Sequence, residues 1–273
     1  MSKSTSTSAP TRSIQREIQL DAPPEAVWKA ITDPAELPNW FPLAARGGAT
    51  PGSAVVWSWG DFDWDLEVVE ARPPQLLRLR DLSTERAGQG TSPILEIRLE
   101  GRGGATWLRL VHSGFSADSQ WDEMFDGTSR GWKDVLAVLG HYLRRHAGAR
   151  RSATMLRAPL GDTTYAEAWR RATAPDGIAT LSADGASIEL RLGDSERVSA
   201  QVLDLAPGHS LQALVPSWND SLLHILMENC FGRPEAVFQL SSWSLPPARR
   251  EPLLQQLSRR LAALFPGEQK RVG

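Results

Sequence analysis

The 273-residue chain has a single cysteine, Cys230. No intramolecular disulfide can form, so stability has to come from packing. Lysine is nearly as scarce, with only Lys3, Lys29, Lys133 and Lys270. Arginine carries the rest of the positive charge, which reads as the mark of a GC-rich bacterial genome and not of a function. The formal net charge is only -2. No global field draws in nucleic acid or an anionic membrane, and neither is expected as a partner. No apolar run approaches the roughly 20 residues that a membrane span needs. The opening MSKSTSTSAPTRS lacks the apolar core of a secretory signal. A cytoplasmic protein with a reduced thiol is the expectation. The histidines His112, His141, His146, His209 and His224 fall into no ligand cluster of the HExxH or CxxC kind. P-loop, GxGxxG and GxSxG motifs are missing as well. No metal, no cofactor and no catalytic residue is expected.

What is abundant is tryptophan. Eight of the eleven, namely Trp28, Trp40, Trp57, Trp59, Trp64, Trp107, Trp121 and Trp132, precede residue 133. Three of them crowd into WSWGDFDWD at residues 57–65. The period there is two. Val55, Trp57 and Trp59 share one strand face, Gly60-Asp61 makes a tight turn, and Phe62, Trp64, Leu66 and Val68 share the matching face. Asp61, Asp63, Asp65 and Glu67 take the opposite face, toward water. SIQREIQL (13–20) alternates in the same way, and so do LLRLR, ILEIRLE and TWLRLVHSGF. Trp107 has the outward parity, while Leu108, Leu110 and His112 point in. A polar loop is expected over 84–92.

Helical spacing appears in two places in the first half. DAPPEAVWKAIT opens with prolines suited to a first turn, and DPAELPNWF adds a short helical turn. Residues 119–146 space Phe125, Trp132, Leu136, Leu139 and Leu143 at three- or four-residue steps, an amphipathic helix. Gly127 and Gly131 each cost it about 1 kcal/mol relative to alanine, and close approach to the sheet is the expected return. Asp122, Glu123 and Asp126 suit its positive end.

The second half repeats the first in reduced form. GDFDWDLEVVEARPPQLLRLR (60–80) resembles GDSERVSAQVLDLAPGHSLQAL (193–214), residues 92–115 resemble 220–245, and EAVWKAITDP (25–34) resembles AEAWRRATAP (166–175). This reads as a duplication with decay, in which the second copy lacks the NWF segment and the WSW strand. A final helix is expected after Pro252, on Leu253, Leu254, Leu257, Leu261 and Leu264. The domain reading is a disordered tail over 1–12, a first domain over 13–146, a linker over 147–153, a degenerate second domain over 154–267 and a tail over 268–273.

APPEAVWKAITDPAELPNWF, the W-x-WG hairpin, VVEARPPQLLRLR, LE-x-x-GG-x-T-x-L-x-L-x-HSGF and GW-x-x-x-L-x-x-L-x-x-YL together resemble the SRPBCC (START-like) superfamily. The branch is the one named for the C-terminal domain of the activator of Hsp90 ATPase. The resemblance implies an α+β helix-grip fold, in which a curved antiparallel sheet wraps a long C-terminal helix and leaves a cavity. It covers residues 13 to about 146. The superfamily spans lipid and hormone carriers, aromatase/cyclases, dioxygenase subunits and the co-chaperone domain, so the fold does not fix the activity.

The candidate cavity residues are Trp28, Trp40, Phe41, Trp57, Trp59, Phe62, Trp64, Leu79, Ile97, Leu110, His112, Phe125 and Trp132. Each is either ordinary core or part of a wall that holds a ligand. His112 could bind a ligand or move a proton, with a reference pKa of about 6.5, or be a half-buried histidine in a strand end where Gly114 serves the turn. The expected function is a non-enzymatic module that holds a hydrophobic small molecule in the first domain. A cyclase- or hydrolase-type enzyme using the same cavity is one alternative. A co-chaperone-like role with a protein partner is the other, and it predicts a filled cavity with an exposed patch.

Overall fold

Alternating sequence over most of the first half becomes one antiparallel sheet in the computed structural model, which describes residues 10–83, 92–193, 196–229 and 233–273. The strands are β1 (Thr11–Leu20), β2 (Ala44–Arg46), β3 (Ala54–Ser58), β4 (Asp63–Arg72), β5 (Leu76–Asp81), β6 (Ile94–Arg102) and β7 (Ala105–Ser116). Their order is β1-β7-β6-β5-β4-β3-β2. The expected loop over 84–92 falls, but for Ser92, outside the described residues, and so do Cys230 and most of the expected N-terminal tail. Strand β1 begins at Thr11, two residues inside that tail.

The inner face follows the period-two reading. Leu66, Val68, Leu79, Leu95, Leu108 and Leu110 are all buried to within 1%. On the other face charges pair across strands, as in Arg80 with Glu67 at 2.7 Å and Arg78 with Glu96 at 3.3 Å. Such half-exposed pairs contribute about 0–1 kcal/mol each. Their weight lies in keeping that face wet and the register single.

Two helices cover the inner face. α1 (Pro24–Thr32) starts on Pro23-Pro24 and stops at Asp33, whose extended conformation is what a following proline favours. α2 (Asp122–Arg145) buries Trp132, Leu136, Leu139 and Tyr142. Gly127 and Gly131 do not serve close approach, because a Cβ at either would meet nothing within 4 Å. The close glycine is Gly140, where a Cβ would lie 3.7 Å from Ile18 and Leu20. Sheet and closing helix together make the expected α+β helix-grip arrangement.

Residues divide into two compact units, Met1–Arg144 and Arg145–Gly273. The second unit contains β8 (Ser152–Pro159), α3 (Tyr165–Thr173), β9 (Ala179–Leu181), β10 (Ser187–Arg191), β11 (Arg197–Ala206), β12 (Ser210–Val215), β13 (Ser221–Glu228), β14 (Glu235–Ser242), α4 (Pro247–Leu264) and β15 (Lys270–Val272). Its order is β15-β8-β14-β13-β12-β11-β10-β9. Without β15 this is the order of the first sheet, strand for strand, which fits a duplication. α3 starts on Thr164, whose hydroxyl accepts from the Glu167 amide at 3.2 Å.

Several boundaries differ from the sequence reading. The strand expected to be lost is present as β10, without its tryptophans. β8 takes up Ser152 and Ala153 from the expected linker. α4 begins at Pro247 and carries Pro252 inside it. Residues 270–272, expected as tail, form β15 against β8.

Leu139 is fully buried on the sheet-facing side of α2. Leu139→Ala should cost about 2–5 kcal/mol. The expected result is a lower urea midpoint for the transition reported by tryptophan fluorescence. A midpoint equal to wild type would mean that α2 does not close the sheet.

Candidate functional site

Pairing of β3 with β4 sets Trp57 directly opposite Trp64 on the inner face. The two rings meet edge to face at 5.4 Å. Phe41 comes from the turn after α1 and sits 5.1 Å from Trp57. Trp132 of α2 lies 5.9 Å from Phe41 and 6.1 Å from Trp64. These four rings close a circuit, and each contact contributes about 0.5–1.5 kcal/mol beyond simple burial.

The turn that delivers Phe41 is fastened from two sides. The Trp40 indole Nε1 donates to the Ala30 carbonyl at 2.8 Å, and Trp40 stacks on Phe41 at 5.3 Å. Glu36 accepts from Lys29 Nζ and from the Tyr142 hydroxyl, both at 2.7 Å. These hydrogen bonds, Lys29 first and then Tyr142, hold the Glu36 carboxyl below the usual carboxylate range. One acid thus joins the turn to α1 and to α2.

His112 ends the inward row of β7. Its Nδ1 accepts from the Trp132 indole Nε1 at 3.1 Å. The remaining ring nitrogen, Nε2, therefore carries the proton of the neutral imidazole. Gly114 serves a β-bulge here, not the expected turn. It has φ +91°, and the β1 pairing passes from Ser113 to Phe115 across it. The extra residue turns Phe115 inward beside His112, at 4.4 Å. Phe115 was not among the expected site residues. HSGF held the signal, since a glycine one residue short of the next aromatic can reset strand parity.

Among the described residues, two buried donors in this cluster have no partner, Trp57 Nε1 and His112 Nε2. Both residues are only 2% exposed. A buried donor left unmade costs about 1–3 kcal/mol. The space between the helices and the sheet is small. A void of about 10 Å³ is lined by Ile31, Leu37, Val55, Trp57, Val68 and Leu79 among others. That is near the lower limit for one water molecule.

The other expected site residues are spread around this cluster. Ile97 and Leu110 are buried in the sheet floor. Phe125 is half-buried, meets Phe115 edge to face at 5.4 Å, and holds the Arg12 guanidinium 4.4 Å over its ring. Trp59 reaches Phe41 at 5.2 Å. Trp28 is half-buried on α1 and makes no ring contact with the cluster among the described residues. Phe62 departs from the reading. Its parity is inward, but it forms with Trp59 the last pair of the hairpin and stays 38% exposed at the tip. Asp81, the other polar residue of inward parity, accepts from the Ser83 amide and hydroxyl at 2.8 and 2.6 Å, so it serves its own turn.

Burial lowers the His112 pKa to about 3. The unfolded chain, with a value of about 6.5, takes up a proton that the folded one refuses. The stability held by the neutral ring is whole above pH about 6.5 and is lost as pH falls toward about 3. His112→Asn keeps an acceptor near Nδ1 and cannot titrate. Its denaturant midpoint should fall less than that of wild type between pH 7 and pH 4. Parallel curves would place His112 in contact with water.

The family model described as activator of Hsp90 ATPase homolog 1-like protein matches residues 21–144. No curated protein matches the chain. Among solved structures the chain is similar to the Aha1 dimer from Colwellia psychrerythraea, at 20% identity and TM-score 0.43, covering 48% of this chain and 96% of that one. It is similar to DynU16, a protein in the dynemicin biosynthetic locus, at 19% identity and TM-score 0.43, covering 93% and 96%. CalU16 from Micromonospora echinospora shares 26% identity at TM-score 0.40, over 49% and 76%. Over residues 21–144 the chain carries a domain of the activator of Hsp90 ATPase homolog 1-like family.

Proposed function

We propose that the first unit is a non-enzymatic binding module for a flat hydrophobic small molecule that carries a hydrogen-bond acceptor. One observation carries this reading. Two indole or imidazole N–H groups, on Trp57 and His112, are buried in an aromatic enclosure with no hydrogen-bond acceptor among the described residues. A core selected only for stability gains nothing from such donors, because each unmade bond is a cost. A ligand oxygen between the aromatic rings recovers that cost. Since His112 is neutral, the fitting acceptor is an uncharged carbonyl or ether, not a carboxylate that needs a cation.

The small void means that the ligand enters by displacing rings. Phe41, Trp59 and Phe62 are the movable set, because all three are partly exposed. The cyclase or hydrolase alternative has less to draw on. It needs a second titratable group beside His112, and Asp81 is engaged in its own turn. A protein-interaction role, in line with the family's co-chaperone description, is favoured by the exposure of Phe62 beside Trp59. On this reading the second unit is a degenerate copy of the first over 154–267, in a cytoplasmic protein.

Tryptophan fluorescence and thermal melting against a panel of flat hydrophobic ligands test the proposal. A binder should quench the wild type and raise its Tm. Trp57→Phe keeps the ring and removes the N–H, so a folded variant should bind at least tenfold more weakly, a loss of about 1.4 kcal/mol. Mass spectrometry of the complex over hours should return the ligand unchanged. Equal affinity in wild type and Trp57→Phe would remove the indole donor from the account, and a chemically altered ligand would make the protein an enzyme.

A further inference from the structure

Two donors without an acceptor need not be met by the same atom. Trp57 Nε1 and His112 Nε2 are the buried N–H groups of the aromatic cluster that have no partner among the described residues. Their residues stand on β3 and β7, and β4, β5 and β6 lie between. Adjacent strands are about 4.8 Å apart, so the two backbones stand about 19 Å apart along the sheet. One oxygen can accept from both donors only where the two nitrogens lie within about 6 Å, twice an ordinary N–H···O distance.

The rings keep that separation. Trp64 touches both residues, at 5.4 Å from Trp57 and 5.9 Å from His112. Trp57 and His112 make no ring contact with each other among the described residues. Each donor also has its own surroundings. Trp57 lines the void of about 10 Å³ with Ile31 and Leu37, while His112 lies against Phe115 at 4.4 Å, beside the bulge. The floor between the two is apolar. Leu79 and Leu95 lie in register with His112 across β5 and β6, and each is only 1% exposed.

We propose, resting on the binding function set out above, that the occupant is an aromatic compound with a neutral carbonyl group at each of two opposite ends, an aryl diketone or diester. One carbonyl oxygen accepts from Trp57 Nε1 and the other from His112 Nε2. The apolar ring between them lies over Leu79 and Leu95. A compound with one carbonyl meets one donor and leaves the other as it is in the closed state. Two carbonyls on one edge do no better, because both face the same donor.

Calorimetric titration of the full chain with 1,4-diacetylbenzene, 4-ethylacetophenone and 1,4-diethylbenzene tests this. The three are alike in size and carry two, one and no carbonyl groups. The diketone should bind at least tenfold more tightly than the monoketone, and the hydrocarbon most weakly. Trp57→Phe should bring the diketone down to the level of the monoketone, which should itself weaken less, since its oxygen can turn to His112. His112→Asn, which keeps an acceptor for Trp132, should do the same from the other end. Melting curves check that both variants are folded, and the comparison of the three ligands on the wild type stands without them. Equal affinity for the two ketones, or a loss in Trp57→Phe as large for the monoketone as for the diketone, would overturn the assignment. Either result points to one oxygen shared by both donors and leaves the binding function intact. Binding of none of the three would also overturn it, and the wider ligand panel then decides the binding function by itself.

Discussion

One hydrogen bond organises the interior of the first unit. The Trp132 indole on α2 donates to His112 Nδ1 at the end of β7, with both side chains buried. It ties the closing helix to the sheet at the point where strand pairing is interrupted by the bulge. It also decides which imidazole nitrogen holds the proton, and so makes Nε2 a donor. Trp132 in turn touches Phe41 and Trp64. Without this bond a buried N–H and a buried ring nitrogen would both be orphaned, at about 1–3 kcal/mol apiece. The helix register, the tautomer and the ring circuit all follow from it.

The sequence carries some of this openly. Period two places Trp57, Trp64, Leu110 and His112 on one face, and Trp107 on the other, where it stands 38% exposed. Helical spacing picks out Trp132, Leu136 and Leu139. Both signals are local, because a strand or helix repeats its own geometry at each step. The features that make the site are non-local. Glu36 meets Tyr142 across 106 residues, and His112 meets Trp132 across 20. Parity also fails where the repeat is broken. The Gly114 bulge brings Phe115 in. Phe62 shows a further limit, since parity says which way a side chain points and not whether anything lies there to cover it. The volume of the void is less legible still, because it depends on ring positions to within an ångström.

The two units separate fold from chemistry. Their sheets share a strand order. The buried cluster of the second is mainly aliphatic, with Leu211, Ala213, Leu223, Ile225 and Leu240 beside Phe238, and Trp218 is buried there too. The first unit instead places Trp57, Trp132 and His112 together in its interior, and each buried N–H there needs a partner or carries a penalty. The shared strand order therefore carries different side-chain chemistry in the two units.

On the proposed reading, opening decides the energetics of the first unit. A ligand between Phe41, Trp57 and Trp64 would break ring contacts worth about 0.5–1.5 kcal/mol each and replace them with contacts of the same kind. Stacking therefore nearly cancels. The bonds from Trp57 Nε1 and His112 Nε2 do not cancel, because the closed state has none to lose. The proposed selectivity follows from that asymmetry. A pure hydrocarbon would exchange like for like and gain little, whereas a ligand that bears carbonyl oxygens would gain bonds the closed state lacks. On that reading the aromatic wall provides the enclosure, and the unmade hydrogen bonds provide the free energy that favours an occupant over the empty, closed state.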